Sequence, residues 1–276
     1  RFERARASAA LLTAVERMME AGKNEAAGKL YQKMFDGQVA KGEIHVRLAG
    51  LAGLGRAFGA DALETVSAAL IDENDQIRKM ARRAAIEMKA EKVTTWLLEK
   101  LKTAEPAEES GILDILAARG DSGALPAALD ALKHKNQEVR LAALNAVVAL
   151  GNHETVPSLV QFLHSEQESE RKTAKEALLR IPGKKTTAAI ADQVGDHAAA
   201  RATLIGLIAS RGGREHLKLV QDTTQDKIES ARLAAWNAIA ILAAGDALPK
   251  LIQMHAMIGT DKDRQAAEKS ILSVAG

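Results

Sequence analysis

The chain contains no cysteine. Disulfides, cysteine-ligated zinc, iron–sulfur clusters and a cysteine nucleophile are thereby excluded. Aromatic residues make up 3% of 276 positions, and there are 5 prolines. A core of ordinary size must then be built from Ala, Leu, Val and Ile, and few positions interrupt a helix. Charge of one sign is also missing: 38 basic residues stand against 36 acidic ones, for a net +2. That balance gives neither the electrostatic footprint of a nucleic-acid binder nor a polybasic membrane anchor. No apolar run approaches the ~20 residues that span a bilayer. Glycine-rich phosphate loops, G-x-S-x-G and H-E-x-x-H are absent. Gly50, Gly53, Gly55 and Gly59 superficially suggest a nucleotide loop, but they fall inside a helical pattern with no strand before it, so close helix packing explains them better. The chain opens on Arg1 without a basic-then-apolar leader, and residues are expected to precede it.

What is present is a repeat. Asn136–Ser165, NQEVRLAALNAVVALGNHETVPSLVQFLHS, reads as two amphipathic helices joined by a glycine turn. Its phase recurs at the anchors Arg47, Arg78, Glu109, Arg140, Arg171, Arg201, Arg232 and Arg264, spaced 31, 31, 31, 31, 30, 31 and 32 residues apart. Three positions after most anchors the residue is small; seven after, it is apolar; eight after, it is apolar or small. These three offsets are expected to face the core. Glycine follows at offset 11 or 12 (Gly59, Gly120, Gly151, Gly183, Gly212), where a helix ends readily. Pro126, Pro157 and Pro249 share one phase and mark the first turn of the second helix. That helix buries offsets 16, 19, 20 and 23, with Val66, Leu97, Ala128, Leu159, Ile190, Val220 and Leu251 at offset 19.

The expected fold is therefore all-α: an α-solenoid of stacked helix-turn-helix repeats, since no single repeat can bury both apolar stripes alone. Residues 43–276 hold seven full repeats and a final half repeat from Thr260, whose Asp261, Lys262, Asp263, Gln265, Glu268 and Lys269 are expected to form a polar outer face. Residues 1–42, with helices over Glu3–Glu20 and Asn24–Phe35, are expected to be a degenerate capping pair, its connector flanked by Gly37 and Gly42.

The pattern resembles the HEAT repeat family in its short form of ~31 residues, the kind found in phycobilisome lyases. The resemblance is carried by Val139-Arg140, Ala149-Leu150-Gly151 and Val156-Pro157-Ser158-Leu159. It implies a right-handed superhelix whose second helices line a concave surface, in a family made mostly of protein-binding scaffolds. Similar arrays include bilin lyases, a di-iron hydroxylase and DNA glycosylases. The leading expectation is a monomeric, non-enzymatic scaffold that takes a protein or peptide on its concave face, without cofactor, metal, nucleic acid or membrane. A bilin-lyase-like enzyme is the alternative, and a nucleic-acid binder the weaker one.

The contact candidates lie opposite the buried stripe of the second helices. Offset 21 holds Ala68, Glu99, Asp130, Gln161, Asp192, Asp222 and Gln253, a mildly acidic column suited to a basic or hydrogen-bonding peptide and unsuited to phosphates. A solvated helix face is the plain reading of the same column. Trp96 shares the face and Phe162 flanks it, as candidate anchors or as packing between repeats. Trp236 is assigned to the core. The arginine anchors read as repeat-to-repeat ion pairs, with acids such as Asp75, Glu138, Glu168 and Glu229, rather than as an anion-binding stripe. Arg78, Lys79, Arg82 and Arg83, followed by Lys89 and Lys92, read as a solvated basic face or an acidic-partner patch. Among the seven histidines only His153-Glu154 makes the His-Glu pair of the di-iron arrays, too few for that site; His134, His164 and His255 stand near second-helix ends.

Overall fold

The computed structural model describes residues 2–39, 43–88 and 91–276, and of residues 2–6 and 91 the backbone alone. Gly42 and Lys89 lie outside the described residues. All regular structure in those residues is helical. The chain divides into two compact units, 1–146 and 147–276.

The first unit opens with α1 (Phe2–Glu20) and α2 (Asn24–Phe35), close to the bounds read from the pattern. The pairs α3 (Ile44–Phe58) and α4 (Leu63–Ala69), α5 (Asp75–Glu87) and α6 (Glu91–Leu101), and α7 (Pro106–Arg119) and α8 (Leu125–Ala131) follow. α9 (Gln137–Leu150) begins in this unit and ends in the next. The first helices α3, α5 and α7 pack in succession, and α4 and α6 each fold back on the first helix that follows. That is the stacking the period requires.

α2 seats directly on α3. A Cβ on Gly50 would lie 2.6 Å from the Phe35 nitrogen, and one on Gly53 would lie 2.3 Å from the Tyr31 ring. The glycines of this segment thus let a bulky capping helix approach closely.

The second unit contains α10 (Val156–Val160), α11 (Glu168–Arg180), α12 (Lys184–Asp192), α13 (Arg201–Ser210), α14 (Leu217–Thr223), α15 (Glu229–Leu242), α16 (Leu248–Ala256) and α17 (Asp261–Ala275). Here α11, α13, α15 and α17 pack in succession. Offset 19 is buried in every described second helix, and each such Leu, Ile or Val contributes roughly 1.5–3 kcal/mol by leaving water. Pro126, Pro157 and Pro249 all stand in the first turn of a second helix, as expected. Most second helices are entered through a short 3-10 turn, such as Ser122–Ala124 or His153–Thr155, which shortens their α-helical part.

Two core expectations are corrected. Offset 8 does not form a buried column: Ala209 is buried there, but Ile86, Leu179 and Leu272 are exposed, and the buried columns are offsets 3, 6 and 7, the last two shown by Ala84-Ala85, Ile115-Leu116, Ala146-Val147 and Ala177-Leu178. Offsets 3, 6 and 7 form a narrower stripe, because the neighbouring first helices touch along one seam. Asp263 does not belong to the polar outer face of α17. It is buried at 5% exposure, where it accepts from Arg232 Nε at 2.9 Å.

Among the turn glycines, Gly59, Gly120, Gly183 and Gly212 have positive φ, whereas Gly151 does not. Gly151 is needed for space: a Cβ there would meet the Val147 carbonyl at 2.5 Å.

Candidate functional site

The anchor column comes first, because it fixes how repeats meet. Arg78, Arg140, Arg171 and Arg232 each donate from Nη1 to the carbonyls six and five residues earlier, in the turn leaving the preceding second helix. The distances run from 2.6 Å at Arg171 to 3.2 Å at Arg232. Arg201 also clamps its turn, donating from Nε and Nη2 to the carbonyls of Val194 and Gly195, seven and six residues earlier, at 2.8 and 2.9 Å. The expectation that the anchors serve chiefly as ion pairs is therefore corrected: their principal partners are backbone carbonyls at a helix C-terminus, where a cation is favoured. Acids add to this at some junctions. Arg201 meets Asp226 at 2.5 Å, Arg232 meets Asp263 at 2.9 Å and Arg47 meets Asp72 at 3.6 Å. Of the acids named in advance, Asp75 pairs with Arg78 at 3.2 Å, while Glu229 pairs with Lys262.

A second clamp was not read from the sequence. Arg119 and Arg211 both stand ten residues after an anchor, at the end of a first helix. Arg119 Nη1 donates to the carbonyls of Ala85 and Met88 at 3.0 and 2.6 Å. Arg211 Nη1 donates to those of Leu178 and Leu179 at 2.8 and 2.9 Å, and its Nε to Thr187 at 3.0 Å. Thr94 is the counterpart of Thr187 beside Arg119. The readable signal was a co-occurrence: Arg at offset 10 appears where the preceding repeat has Thr at offset 16. Burial lowers the Arg211 pKa from its ordinary value, since the guanidinium has left water for neutral carbonyls.

The anchor column breaks once. At its third position the residue is Glu109, whose carboxylate can donate nothing to the carbonyls of Thr103 and Ala104, six and five residues earlier. A cavity of about 670 Å³ opens beside it, with Leu98, Leu101, Pro126, Ala127 and Ala131 among its apolar lining. Its polar groups are Glu99, Lys102, Glu109, Asp130, Lys133 and His134. The Glu109 side chain is 12% exposed and lies 3.5 Å from His134 Nε2. His134 Nδ1 accepts the Asn136 N–H at 3.0 Å, which turns Nε2 toward Glu109. Burial raises the Glu109 pKa, and His134 only partly offsets it.

The predicted contact residues fall on both units. In the first, Glu99 and Asp130 are exposed and line the mouth of that cavity, each beside a lysine of its own turn: Lys102 at 2.7 Å and Lys133 at 3.7 Å. Trp96 is half-buried, with the Lys100 ammonium 6.0 Å from its ring centroid. In the second, Gln161, Asp192 and Asp222 are exposed, and Phe162 is half-buried. Asp222 lies 3.3 Å from Lys218. Trp236 is fully buried, as assigned.

The basic run is engaged residue by residue: Arg78 in its clamp, Lys79 with Asp75 at 2.6 Å, Arg82 with Asp114 at 3.8 Å and Arg83 with Glu87 at 2.8 Å. His164 and His197 bring their ring centroids to 6.4 Å, and His255 meets Glu268 at 3.4 Å. Among the described residues no group of three His, Asp or Glu side chains is placed to hold a metal ion. Among them, too, no helix is long and apolar enough to cross a membrane.

Residues 94–179 match the family described as HEAT repeats. Residues 94–179 carry HEAT repeats. The matched stretch runs from the Thr94 of one clamp through the broken anchor at Glu109 to Leu179 in α11. No curated protein sequence matches the chain. Among solved structures the HEAT chain is similar to YibA of Escherichia coli at 16% identity, over 92% of this chain and 96% of that one, with a TM-score of 0.45. It is similar to the complex of CpcE and CpcF of phycocyanin lyase from Nostoc at 17% identity, over 90% and 94%, with a TM-score of 0.41. Human deoxyhypusine hydroxylase in complex with glycerol is similar at 17% identity, over 94% and 99%, with a TM-score of 0.37.

Proposed function

We propose that the chain is a non-catalytic HEAT-repeat scaffold that binds a protein or peptide on the exposed face of its second helices. Trp96, Glu99 and Asp130 would make contact in the first unit, and Gln161, Phe162, Asp192 and Asp222 in the second. One observation carries the reading: the second-helix column at offset 21 is solvent-exposed in every described repeat, opposite the buried column at offset 19. An exposed surface repeated at one spacing suits an extended partner that offers one side chain per repeat. Its carboxylates favour a basic or hydrogen-bonding segment, and the half-buried rings of Trp96 and Phe162 supply apolar contact.

The test is affinity capture from an extract of the source cells with three forms of the protein. These are the wild type, the triple variant Trp96→Ala, Glu99→Lys, Asp130→Lys, and a control, Asn145→Lys, on the exposed side of a first helix. A partner retained by the wild type and the control and lost from the triple variant is the expected result. A partner retained equally by all three overturns the assignment of the face.

A further inference from the structure

We propose that the cavity at Glu109 is a socket for an arginine side chain of the partner, which supplies from outside the guanidinium that this repeat lacks. The inference rests on the scaffold reading and names what the first unit would recognise.

The structure shows what this phase of the repeat takes when it is filled from within. Five anchors place a guanidinium on two carbonyls in the turn leaving the preceding second helix, at spacings that hardly vary. The helix register at Glu109 is the same: α7 starts three residues before Glu109, as α5, α9, α11 and α15 start three before their arginines. Only the cation is missing. In its place are a carboxylate that is largely buried and a cavity large enough for a whole side chain.

The lining fits arginine along its length. Leu98, Leu101, Pro126 and Ala131 offer an apolar wall for the methylene stem. The largely buried Glu109 carboxylate in the lining would accept charge-assisted hydrogen bonds from a planar fork. The charges that line the cavity do not oppose this. Three carboxylates stand against two ammonium groups, and Lys102 is held by Glu99 at 2.7 Å while Lys133 has Asp130 at 3.7 Å. Among the described residues no lysine or arginine lies within ion-pair distance of Glu109; its neighbour is the His134 ring at 3.5 Å. An anion is disfavoured by the same arrangement, since it would have to lie against a desolvated carboxylate.

The probes are the blocked tripeptide Gly-Arg-Gly and its citrulline and lysine counterparts, titrated into the isotope-labelled full chain and followed by amide chemical shifts. Citrulline keeps the shape of arginine and loses its charge. The arginine peptide should bind at least about tenfold more tightly than the citrulline peptide, and move the signals of Glu109, Ala131 and His134. Glu109→Gln should weaken it by about tenfold. Glu109→Arg should abolish binding while the thermal midpoint stays at or above that of the wild type, because the socket is then filled from within and the chain is folded. Equal binding of arginine and citrulline overturns the proposal. Undiminished binding by Glu109→Arg also overturns it, and equal binding of lysine overturns the assignment of a guanidinium. The two readings fail separately. A captured partner that needs Trp96, Glu99 and Asp130 but tolerates Glu109→Arg sinks the socket and leaves the scaffold. A partner indifferent to every variant sinks the scaffold, while the peptide titration still reports on the socket.

Discussion

Two junctions of this molecule solve one problem in opposite ways. At Arg201 a guanidinium spans the turn, donating to Val194 and Gly195 and meeting Asp226 of the next turn. Its side chain is 18% exposed and that of Asp226 is 13% exposed. At Glu109 the same phase of the repeat carries the opposite charge, and a cavity opens beside it. The first arrangement satisfies a helix C-terminus from within the chain. The second places a largely buried carboxylate beside the His134 ring and gives the turn no guanidinium from the anchor position. A repeating array makes such a departure legible, because five other copies show the default. What a junction gives up in stability becomes available for recognition.

The comparison is broken most strongly by removing the filled junction. Arg201→Met should destabilise the protein by about 3 kcal/mol in urea denaturation, because Asp226 is left as a largely buried charge without its guanidinium. A loss no greater than that of an exposed arginine would show that the clamp contributes nothing. Arg211→Met should cost less, about 2 kcal/mol, although Arg211 makes as many hydrogen bonds. Its partners are neutral, so nothing charged is stranded, and desolvation of the guanidinium already offsets part of the gain. If the two losses came in the reverse order, carbonyl clamping would outrank ion pairing in these repeats.

Most of the fold was legible because it is periodic. The 31-residue spacing located the helices, the glycine turns and the prolines, since each depends on local chemistry that recurs at fixed offsets. What escaped was set by the neighbouring repeat. Nothing local to α17 shows that Asp263 turns inward, because its partner Arg232 lies one repeat back. Offset 8 looked like core because Ile86 and Leu179 are apolar, yet the seam between first helices is too narrow to cover them. Arg119 and Arg211 read as ordinary helix-end cations until Thr94 and Thr187 are seen beside them. The candidate site was half legible. The exposed column through Glu99 and Asp130 followed from helix phase alone. The cavity did not: Glu109 was visible in the sequence as the one anchor that is not arginine, but its meaning depended on knowing that the others clamp carbonyls.

The smallest and most discriminating effect is in the pH dependence, where the two junctions should move in opposite directions. Burial works against the ionised Asp226 carboxyl, but the Ile228 N–H and the Arg201 guanidinium outweigh it and hold the pKa below the usual value. Its contribution is therefore fully present above the unfolded carboxylate pKa of about 3.9, and is lost as the pH falls through the lower folded value. Glu109 is raised by burial, so its ionised form opposes folding at neutral pH. That opposition fades as the pH falls through the raised folded value, and is gone below the unfolded pKa of about 4.3. Mild acidification should thus relieve the Glu109 junction before it harms the Asp226 junction. In urea midpoints taken between about pH 7 and pH 5, Glu109→Gln should match or exceed the wild type at neutral pH and lose that advantage toward the acid end. Asp226→Asn should be less stable than the wild type across the same range. A Glu109→Gln variant less stable than the wild type at neutral pH would show that the carboxylate is satisfied within the chain, and the two junctions would then differ in sequence but not in energy.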